Sequence, residues 1–517
     1  MTCLGGLLRH IAADSALALT FKTVSIPLGY LTLIIIARLF GAEQMGTYTI
    51  VIYLITILSV VCRLGLDLGL LRFFAALQAE GKDGELLNFF YPAVALILLL
   101  SGPAALALYG SGEWLAGHFH APSLPQVLAW AAPALPLLVV AALCGEGLRA
   151  LGGVRWVVFS QDLLTPVLVF TLTIVMGYYG QSLIGAPQAL GCVFLASSII
   201  ALGFLAAVLK SRLPGRLWTW ANPAPIKDLL KYSWPLFFSS LCMLVFWSVD
   251  SLILGFFKSP ENVAYYESAA KTALIINLPL IAVNAAVPHL FARFCQQGDM
   301  QRVETVAQAT SRWMYYVALP LACVCMLAAP EILGFFGPGF AEADTALRVL
   351  AAAHLVNVSC GSVVLILAMT GHQLTLTLAQ ALAGLIGLPL MSAAAAFYGL
   401  TGMAAAKALW LAGVSILMAS AVWRHLKIRV FAAHVLHANL GGILGTGFFY
   451  LLKGRLGIIG ALAGFALGYG LLTCKSVQHE MGVLNSQIPW DTPVTSEAGT
   501  PGGAPGNLHL GGAKNQA

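Results

Sequence analysis

Long apolar stretches follow one another along almost the whole chain, and they decide what it can fold into. The first begins at Ser15, the last ends at Cys474, and only short polar connectors separate them. About 20 consecutive apolar residues in a helix are enough to cross the ~30 Å hydrocarbon core of a bilayer. Only 9% of the residues are charged, against about 25% in a typical soluble domain. The sequence therefore predicts an all-α polytopic membrane protein and excludes the soluble fold classes.

Fourteen spans are predicted from these stretches. They cover 15–37, 45–62, 88–109, 126–146, 156–177, 187–209, 233–257, 268–290, 313–335, 346–370, 374–398, 402–422, 435–452 and 456–474. If the N-terminus is cytoplasmic, nineteen Lys and Arg fall in inside segments and four, Arg38, Lys258, Lys453 and Arg455, in outside loops. Cytoplasmic loops of membrane proteins carry such an excess of Lys and Arg. Both termini are therefore predicted to be cytoplasmic.

Two pieces of sequence recur at a nearly constant offset. Residues 36–48 resemble residues 253–266 at an offset of 217 to 218, and residues 148–152 resemble residues 367–371 at an offset of 219. A unit of six spans inserts each time with the same orientation, so a parallel pseudo-two-fold repeat is predicted, with a site between the halves. The predicted units are a six-helix lobe at 1–209, a cytoplasmic linker at 210–232, a second six-helix lobe at 233–425, two additional transmembrane helices at 426–474, and a polar, disordered cytoplasmic tail at 475–517.

Four blocks of sequence carry a family resemblance. They are Ala37–Tyr48, Leu64–Phe73, Tyr232–Gly255 and Phe336–Leu350. In this order and spacing they resemble the polysaccharide and lipid-linked oligosaccharide flippases of the multidrug/oligosaccharidyl-lipid/polysaccharide exporter superfamily. The resemblance covers about residues 10–425.

The resemblance implies a fold and a substrate. It implies two six-helix lobes arranged as a V, alternating access and a cationic central cavity, with no cofactor. The implied substrate is a polyprenyl-pyrophosphate-linked glycan that moves from the cytoplasmic to the periplasmic leaflet of the cell inner membrane. Membrane lipids, and glycan polymerase or glycosyltransferase proteins, are the implied partners. Peptidoglycan-precursor flippases also have two extra spans, but their Arg/Asn-rich N-terminal pattern is missing here, which makes that substrate the less favoured one.

Six ionisable residues inside the predicted spans are candidates for a functional role. They are Lys22, Asp162, Asp250, Lys271, Arg348 and Lys407. A charge at mid-span costs at least about 2.5–3.5 kcal/mol on insertion scales, so each needs a partner or a function. The four cations are predicted to bind substrate, because Lys and Arg offset the desolvation of a phosphate. Asp162 and Asp250 are predicted to couple transport to a cation or to form ion pairs, Asp250 with Lys271.

Each cation also has an alternative interpretation. Lys22, in the first span, can snorkel to the headgroups or pair with Asp162, which lies at a similar depth. Lys271, Arg348 and Lys407 lie toward the outer ends of their spans. As a group they predict a phosphate-binding site near the outer leaflet. Taken singly, each is close enough to the membrane–water interface to snorkel.

Two other functional classes compete with a flippase. A cation-coupled drug or metabolite antiporter of the same superfamily would need acidic groups in the first lobe, whereas the six candidate residues are four basic and two acidic. A membrane glycan polymerase or ligase would need a large periplasmic loop with catalytic groups, and no predicted outside loop exceeds about 20 residues, the length of one span. The sequence thus predicts a transporter rather than an enzyme. No metal site is expected, because the cysteines form no CxxC pair.

Overall fold

The computed structural model describes residues 2–81, 86–212, 226–370, 373–428 and 436–487. Within these ranges the regular secondary structure is helical and no strand occurs. The α-helices are α1 (Thr2–Arg63), α2 (Leu66–Ala79), α3 (Leu86–Gly110), α4 (Gly112–His118), α5 (Leu124–Ala131), α6 (Ala134–Ala150), α7 (Val154–Val158), α8 (Thr165–Val175), α9 (Gln181–Ile184), α10 (Ala186–Arg212), α11 (Ile226–Phe257), α12 (Pro260–Leu274), α13 (Leu278–Ala286), α14 (Pro288–Gln296), α15 (Met300–Leu327), α16 (Ala329–Gly334), α17 (Asp344–Ser359), α18 (Val363–Met369), α19 (Gln373–Leu426) and α20 (Leu436–Gln487). Two π-helical segments, Phe159–Leu164 and Met176–Gly180, lie on either side of α8.

The helices are long and apolar enough to form a multi-pass membrane protein. In the described ranges, seven helical stretches could cross a membrane by length and composition, and the bent pair α5 and α6 would make an eighth. Three of the longest helices break at a glycine. The breaks in α1 at Gly41 and in α19 at Gly399 fall between two predicted spans, and the break in α20 at Gly457 falls at the start of the last predicted span. The all-α membrane architecture is therefore confirmed, while the count of fourteen spans and the internal repeat stay predictions.

The break in α1 shows why glycine is needed there. Gly41 has φ 85° and ψ 171°, a region of backbone conformation that is essentially restricted to glycine. No heavy atom lies within 4 Å of where its Cβ would be, so the requirement comes from the backbone and not from crowding. At this residue α1 turns from the first predicted span into the second.

We call the helices before the predicted linker, α1–α10, the first lobe and those after it, α11–α19, the second lobe; the two sets meet along α1. In the first lobe α6 packs against α2, α3 and α10, and in the second lobe α19 packs against α11, α17 and α18. Between the lobes, α1 lies against α11 and α12, and α2 lies against α11. A site between the halves would therefore be bordered by α1, α11 and α12.

The last two predicted spans dock on the second lobe. α20 packs against α15 around a small apolar core that includes Phe449 and Phe465. The Tyr469 hydroxyl donates to the Tyr316 carbonyl at 2.6 Å, and Lys453 Nζ lies 2.6 Å from Glu331 Oε1. These helices are thus held by polar contacts as well as by apolar packing.

Two predicted boundaries change. α20 continues past Cys474 to Gln487, so the first part of the segment predicted to be disordered is helical; extending an existing helix needs no new nucleation. α10 ends at Arg212 and α11 begins at Ile226, which makes both ends of the predicted linker 210–232 helical. The middle of that linker, 213–225, and the tail residues 488–517 lie outside the described residues.

Candidate substrate site between the lobes

A buried carboxylate, Glu267 on α12, lies where the two lobes meet. It is 3% exposed. Its Oε2 accepts a 2.6 Å hydrogen bond from the Ser251 hydroxyl, and its Oε1 accepts one of 2.6 Å from the Tyr53 hydroxyl. Lys271 Nζ lies 3.3 Å from the same Oε1. Ser251 and Lys271 belong to the second lobe and Tyr53 to the first, so this carboxylate links the lobes.

A second buried carboxylate, Asp250 on α11, has partners in its own lobe. Its Oδ2 accepts a 2.7 Å hydrogen bond from the Tyr266 hydroxyl, and Lys407 Nζ lies 3.4 Å from it. The Lys407 ammonium also lies 4.9 Å from the ring centroid of Trp410, within cation–π range. The predicted pairing of Asp250 with Lys271 is wrong in this structure, because Lys407 of α19 lies closer in space and Lys271 has its own carboxylate one turn away.

The sequence interpretation missed Glu267. Its predicted span began at residue 268, whereas α12 begins at Pro260 and is apolar enough to be part of a span. The count of four basic and two acidic residues therefore left out Glu267. With Glu267 included, Lys271 and Lys407 each have a carboxylate partner inside the bundle, and the count alone no longer argues for an anionic substrate.

The four predicted substrate-binding cations differ in exposure. The side chain of Lys271 is 40% exposed and that of Lys407 only 13%. Arg348 is 48% exposed, and its Nη2 lies 3.1 Å from Asp344 Oδ2 on the same helix. Lys271 is therefore the cation that combines contact with both lobes and an ammonium group within reach of a ligand.

Lys22 and Asp162 lie apart from this group, in the first lobe. Lys22 is exposed on α1, and Asp162 is part of the π-helical segment Phe159–Leu164. The rings of Phe21 and Phe159, 5.9 Å apart, bring the two elements together. Among the described residues, Lys22 and Asp162 form no ion pair with each other, although a π-helical turn often marks a functional position in a helix.

A chain of hydrogen-bonded polar side chains connects three elements of the second lobe. The amide nitrogen of Asn277 lies 2.9 Å from His354 Nδ1. The Asn357 amide donates to Asn277 Oδ1 at 3.4 Å, and the Ser415 hydroxyl donates to Asn357 Oδ1 at 2.8 Å. The chain ties α17 and α19 to the short 3₁₀ segment after α12, so it fixes the position of α12 and with it Glu267.

The lobes touch at the end predicted to face the periplasm, and we name this set the outer contact: Arg38, Gly46 and Tyr53 of α1 with Pro260 and Glu267 of α12 and the end of α16. A Cβ on Gly46 would overlap the Pro260 carbonyl, so only glycine permits this approach. Arg38 Nε donates to the Phe335 carbonyl at 2.8 Å and its Nη2 donates to the Gly334 carbonyl at 3.0 Å. These carbonyls at the end of α16 lack helical partners.

The lobes also touch at the end predicted to face the cytoplasm. Gly65 precedes α2 with φ 74°, and a Cβ there or on Gly69 would overlap Ser233 of α11. The block Leu64–Phe73 thus meets the block Tyr232–Gly255, just as Arg38 of the first block meets the residues beside Phe336. The motifs that carry the family resemblance are largely the residues by which the two lobes contact each other.

Comparison with known proteins shows which families and solved structures this chain resembles. A family model described as polysaccharide biosynthesis protein matches residues 11–293, and a MatE model matches residues 235–390. No curated protein matches the chain. The solved structures that resemble it include an inward-facing multidrug resistance MATE family transporter of the MOP superfamily, with 14% identity, a TM-score of 0.67 and coverage of 80% of this chain and 98% of that one.

Two further structures share the fold. The lipid II flippase MurJ, in an inward closed conformation, has 15% identity, a TM-score of 0.70 and coverage of 89% of this chain and 100% of its own. The Vibrio cholerae MATE transporter VcmN, in its bent form, has 14% identity, a TM-score of 0.53 and coverage of 84% and 100%. Because a family model matches more than half of its length, the chain belongs to the polysaccharide biosynthesis protein family, and it has the fold of the MATE transporters and of the MurJ flippase.

Proposed function

We propose that this transporter moves a polyprenyl-pyrophosphate-linked oligosaccharide or polysaccharide precursor from the cytoplasmic to the periplasmic leaflet by alternating access. The observation that carries the proposal is Lys271, whose side chain is 40% exposed at the meeting of two apolar lobes. Such a charge is costly within a membrane and marks a substrate or ion pathway by default. The family to which the chain belongs, and the flippase among its structural relatives, support a lipid-linked glycan as the substrate.

Two lysines at different depths suit the movement of an anionic head group. At 1.5 Å per residue, Lys271 lies about 16 Å along α12 from Pro260, and Lys22 about 28 Å along α1 from the turn at Gly41. A pyrophosphate that meets Lys22 first and Lys271 later would have a counter-charge at both stages. Low dielectric strengthens each contact. Arg348 and Lys407 stay candidates for later contacts, Lys407 only after it leaves Asp250.

The test is transport in proteoliposomes that contain the purified chain. A fluorescent polyprenyl-pyrophosphate-linked oligosaccharide is expected to reach the opposite leaflet faster than in empty vesicles. A polyprenol-linked glycan without phosphate is expected to move no faster than in empty vesicles. Lys271→Ala is expected to slow transport while leaving insertion intact. Equal rates for the charged and uncharged lipids would contradict the proposal.

A cation-coupled antiporter is the second candidate, and two observations favour it. The MatE model covers residues 235–390, and this range contains two buried carboxylates, Asp250 and Glu267. Everted membrane vesicles separate the candidates: drug or metabolite uptake driven by an imposed proton or sodium gradient supports the antiporter.

We further propose that the protein lies in the inner membrane with both termini cytoplasmic, close to glycan polymerases or glycosyltransferases.

A further inference from the structure

We propose that Glu267 and Lys271 form a substrate sensor that controls the outer contact. In this proposal the anionic head group of the substrate draws the Lys271 ammonium away from Glu267, and the carboxylate left behind destabilises the closed arrangement of the lobes. The inference rests on the proposed function, because it requires an anionic substrate. It assigns the trigger for opening to one pair of residues.

Glu267 has two tasks in the closed arrangement. Its Oε1 accepts the hydrogen bond from Tyr53 of the first lobe, at 2.6 Å, and it is also the oxygen nearest to Lys271 Nζ, at 3.3 Å. Because one oxygen serves both partners, a change in the position of the ammonium acts directly on the bond that joins the lobes. The ammonium also lies 5.9 Å from the Tyr53 ring centroid, so Tyr53 contacts both members of the pair.

The pair is exposed on one side only. Glu267 is 3% exposed, whereas the Lys271 side chain is 40% exposed. A phosphate can therefore reach the ammonium but not the carboxylate. In the described part of the chain, Lys271 is the cation within ion-pair distance of Glu267, since Lys407 is engaged with Asp250.

Loss of that cation makes the closed state unfavourable. Glu267 is the buried member of the pair, and removing the cation beside it leaves an uncompensated buried charge, which is unfavourable. Separation of α1 from α12 would relieve this cost by admitting water to Glu267. By linkage, a ligand that promotes opening must also bind more tightly to the open state. The sensor thus favours opening only when an anion is in place.

The experiment measures how fast the outer contact opens. Ile50 on α1 is fully buried, and its side chain lies against Gly255 of α11. In proteoliposomes, Ile50→Cys is labelled with a membrane-impermeant maleimide added on the outer side, and the parent chain gives the background from native cysteines. The ligands are a long-chain polyprenyl pyrophosphate without sugars and the uncharged polyprenol. The pyrophosphate is expected to accelerate labelling about fivefold or more, which is the lower end of the usual coupling between two sites. The polyprenol is expected to leave the labelling rate unchanged.

Variants of the pair distinguish a sensor from a simple binding residue. Lys271→Met is expected to label rapidly without any lipid, because Glu267 is already uncompensated. Glu267→Gln is expected to bind the pyrophosphate but to label at a rate that the lipid does not change. Arg302→Gln removes an exposed ion pair with Asp299 in a segment predicted to be cytoplasmic, and is expected to respond as the parent does.

Two results would overturn the inference in different ways. Binding of the pyrophosphate without faster labelling of the parent, or a normal response from Glu267→Gln, contradicts the sensor and leaves the proposed function intact. Absence of pyrophosphate binding to parent and variants alike contradicts both the sensor and the proposed function.

Discussion

The Tyr53 hydroxyl of the first lobe donates a 2.6 Å hydrogen bond to Glu267 Oε1 of the second, and the two residues join α1 to α12. In the predicted repeat Tyr48 corresponds to Tyr266, an offset of 218, which makes Tyr53 the counterpart of Lys271. Two positions that the repeat relates by pseudo-two-fold symmetry thus meet at one carboxylate oxygen. If the repeat holds, its axis passes close to Glu267, where a transporter of this plan has its site.

Tyr53→Phe is expected to weaken the outer contact without changing how the helices pack. It removes one hydrogen bond to a buried charge, which costs about 1.5–3 kcal/mol. The open fraction should rise about tenfold or more, since about 1.4 kcal/mol corresponds to a factor of ten. Maleimide labelling of Ile50→Cys from the outer side measures this change. Tyr48→Phe, on the same helix and not bonded to Glu267, is the control, and equal labelling of both variants contradicts the role given to Tyr53.

The partner of Lys271 could have been found in the sequence. Glu267 precedes Lys271 by four residues, a spacing that places both side chains on one face of a helix. It was missed because the predicted span started one residue after Glu267, so the carboxylate was counted as part of a loop. Helix boundaries are the least reliable part of any interpretation from apolar stretches. Here, a predicted span that starts a few residues too late changed the balance of acidic and basic residues counted within the membrane.

The partner of Asp250 could not have been found in this way. Asp250 and Lys407 lie on α11 and α19, far apart along the chain, and only tertiary packing brings them to 3.4 Å. The requirement for glycine at position 46 is of the same kind, because it depends on the carbonyl of Pro260 in the other lobe. The sequence predicted the helices, the membrane and the family. The pairing across helices required the structure.

Lys407→Met is expected to destabilise the second lobe. It leaves Asp250 buried with the Tyr266 hydroxyl as its remaining partner in this pair of contacts, and breaking a buried ion pair costs about 3–5 kcal/mol. Adding Asp250→Asn should recover most of this loss, because the uncompensated charge disappears. Unfolding in detergent, followed for both single variants and the double variant, tests the coupling.

The control for this cycle is the exposed pair of Arg302 and Asp299. The Arg302 side chain is 62% exposed, and Arg302→Met is expected to cost less than about 1 kcal/mol, as for other surface pairs. If the losses from Lys407→Met and Asp250→Asn simply add in the double variant, the two residues do not stabilise the lobe as a pair.

Gly46→Ala is expected to prevent closure of the outer contact. The added Cβ would overlap the Pro260 carbonyl, which belongs to the backbone and cannot move aside as a flexible side chain can. The variant should insert normally, label rapidly at Ile50→Cys and lose transport. Gly413→Ala on α19, where no atom lies within 4 Å of the new Cβ, is the matched control and should keep full transport. A Gly46→Ala variant that transports at the parental rate would show that the lobes do not need this close approach.

Lys22→Ala is expected to slow transport of the pyrophosphate-linked lipid about tenfold, roughly what one charge-assisted hydrogen bond contributes. Lys22 is exposed on α1, and a cation there can meet the phosphate before it reaches Lys271.

Asp162→Asn separates the two interpretations of this lysine. If Lys22 acts on the substrate, Asp162→Asn retains transport and Lys22→Arg restores most of it. If Lys22 instead acts by pairing with Asp162 in another conformation, both single variants lose transport and the exchange of the two charges restores it. Proteoliposome transport rates, compared at equal protein abundance, decide between these outcomes, and parental rates in Lys22→Ala would exclude Lys22 from the substrate pathway.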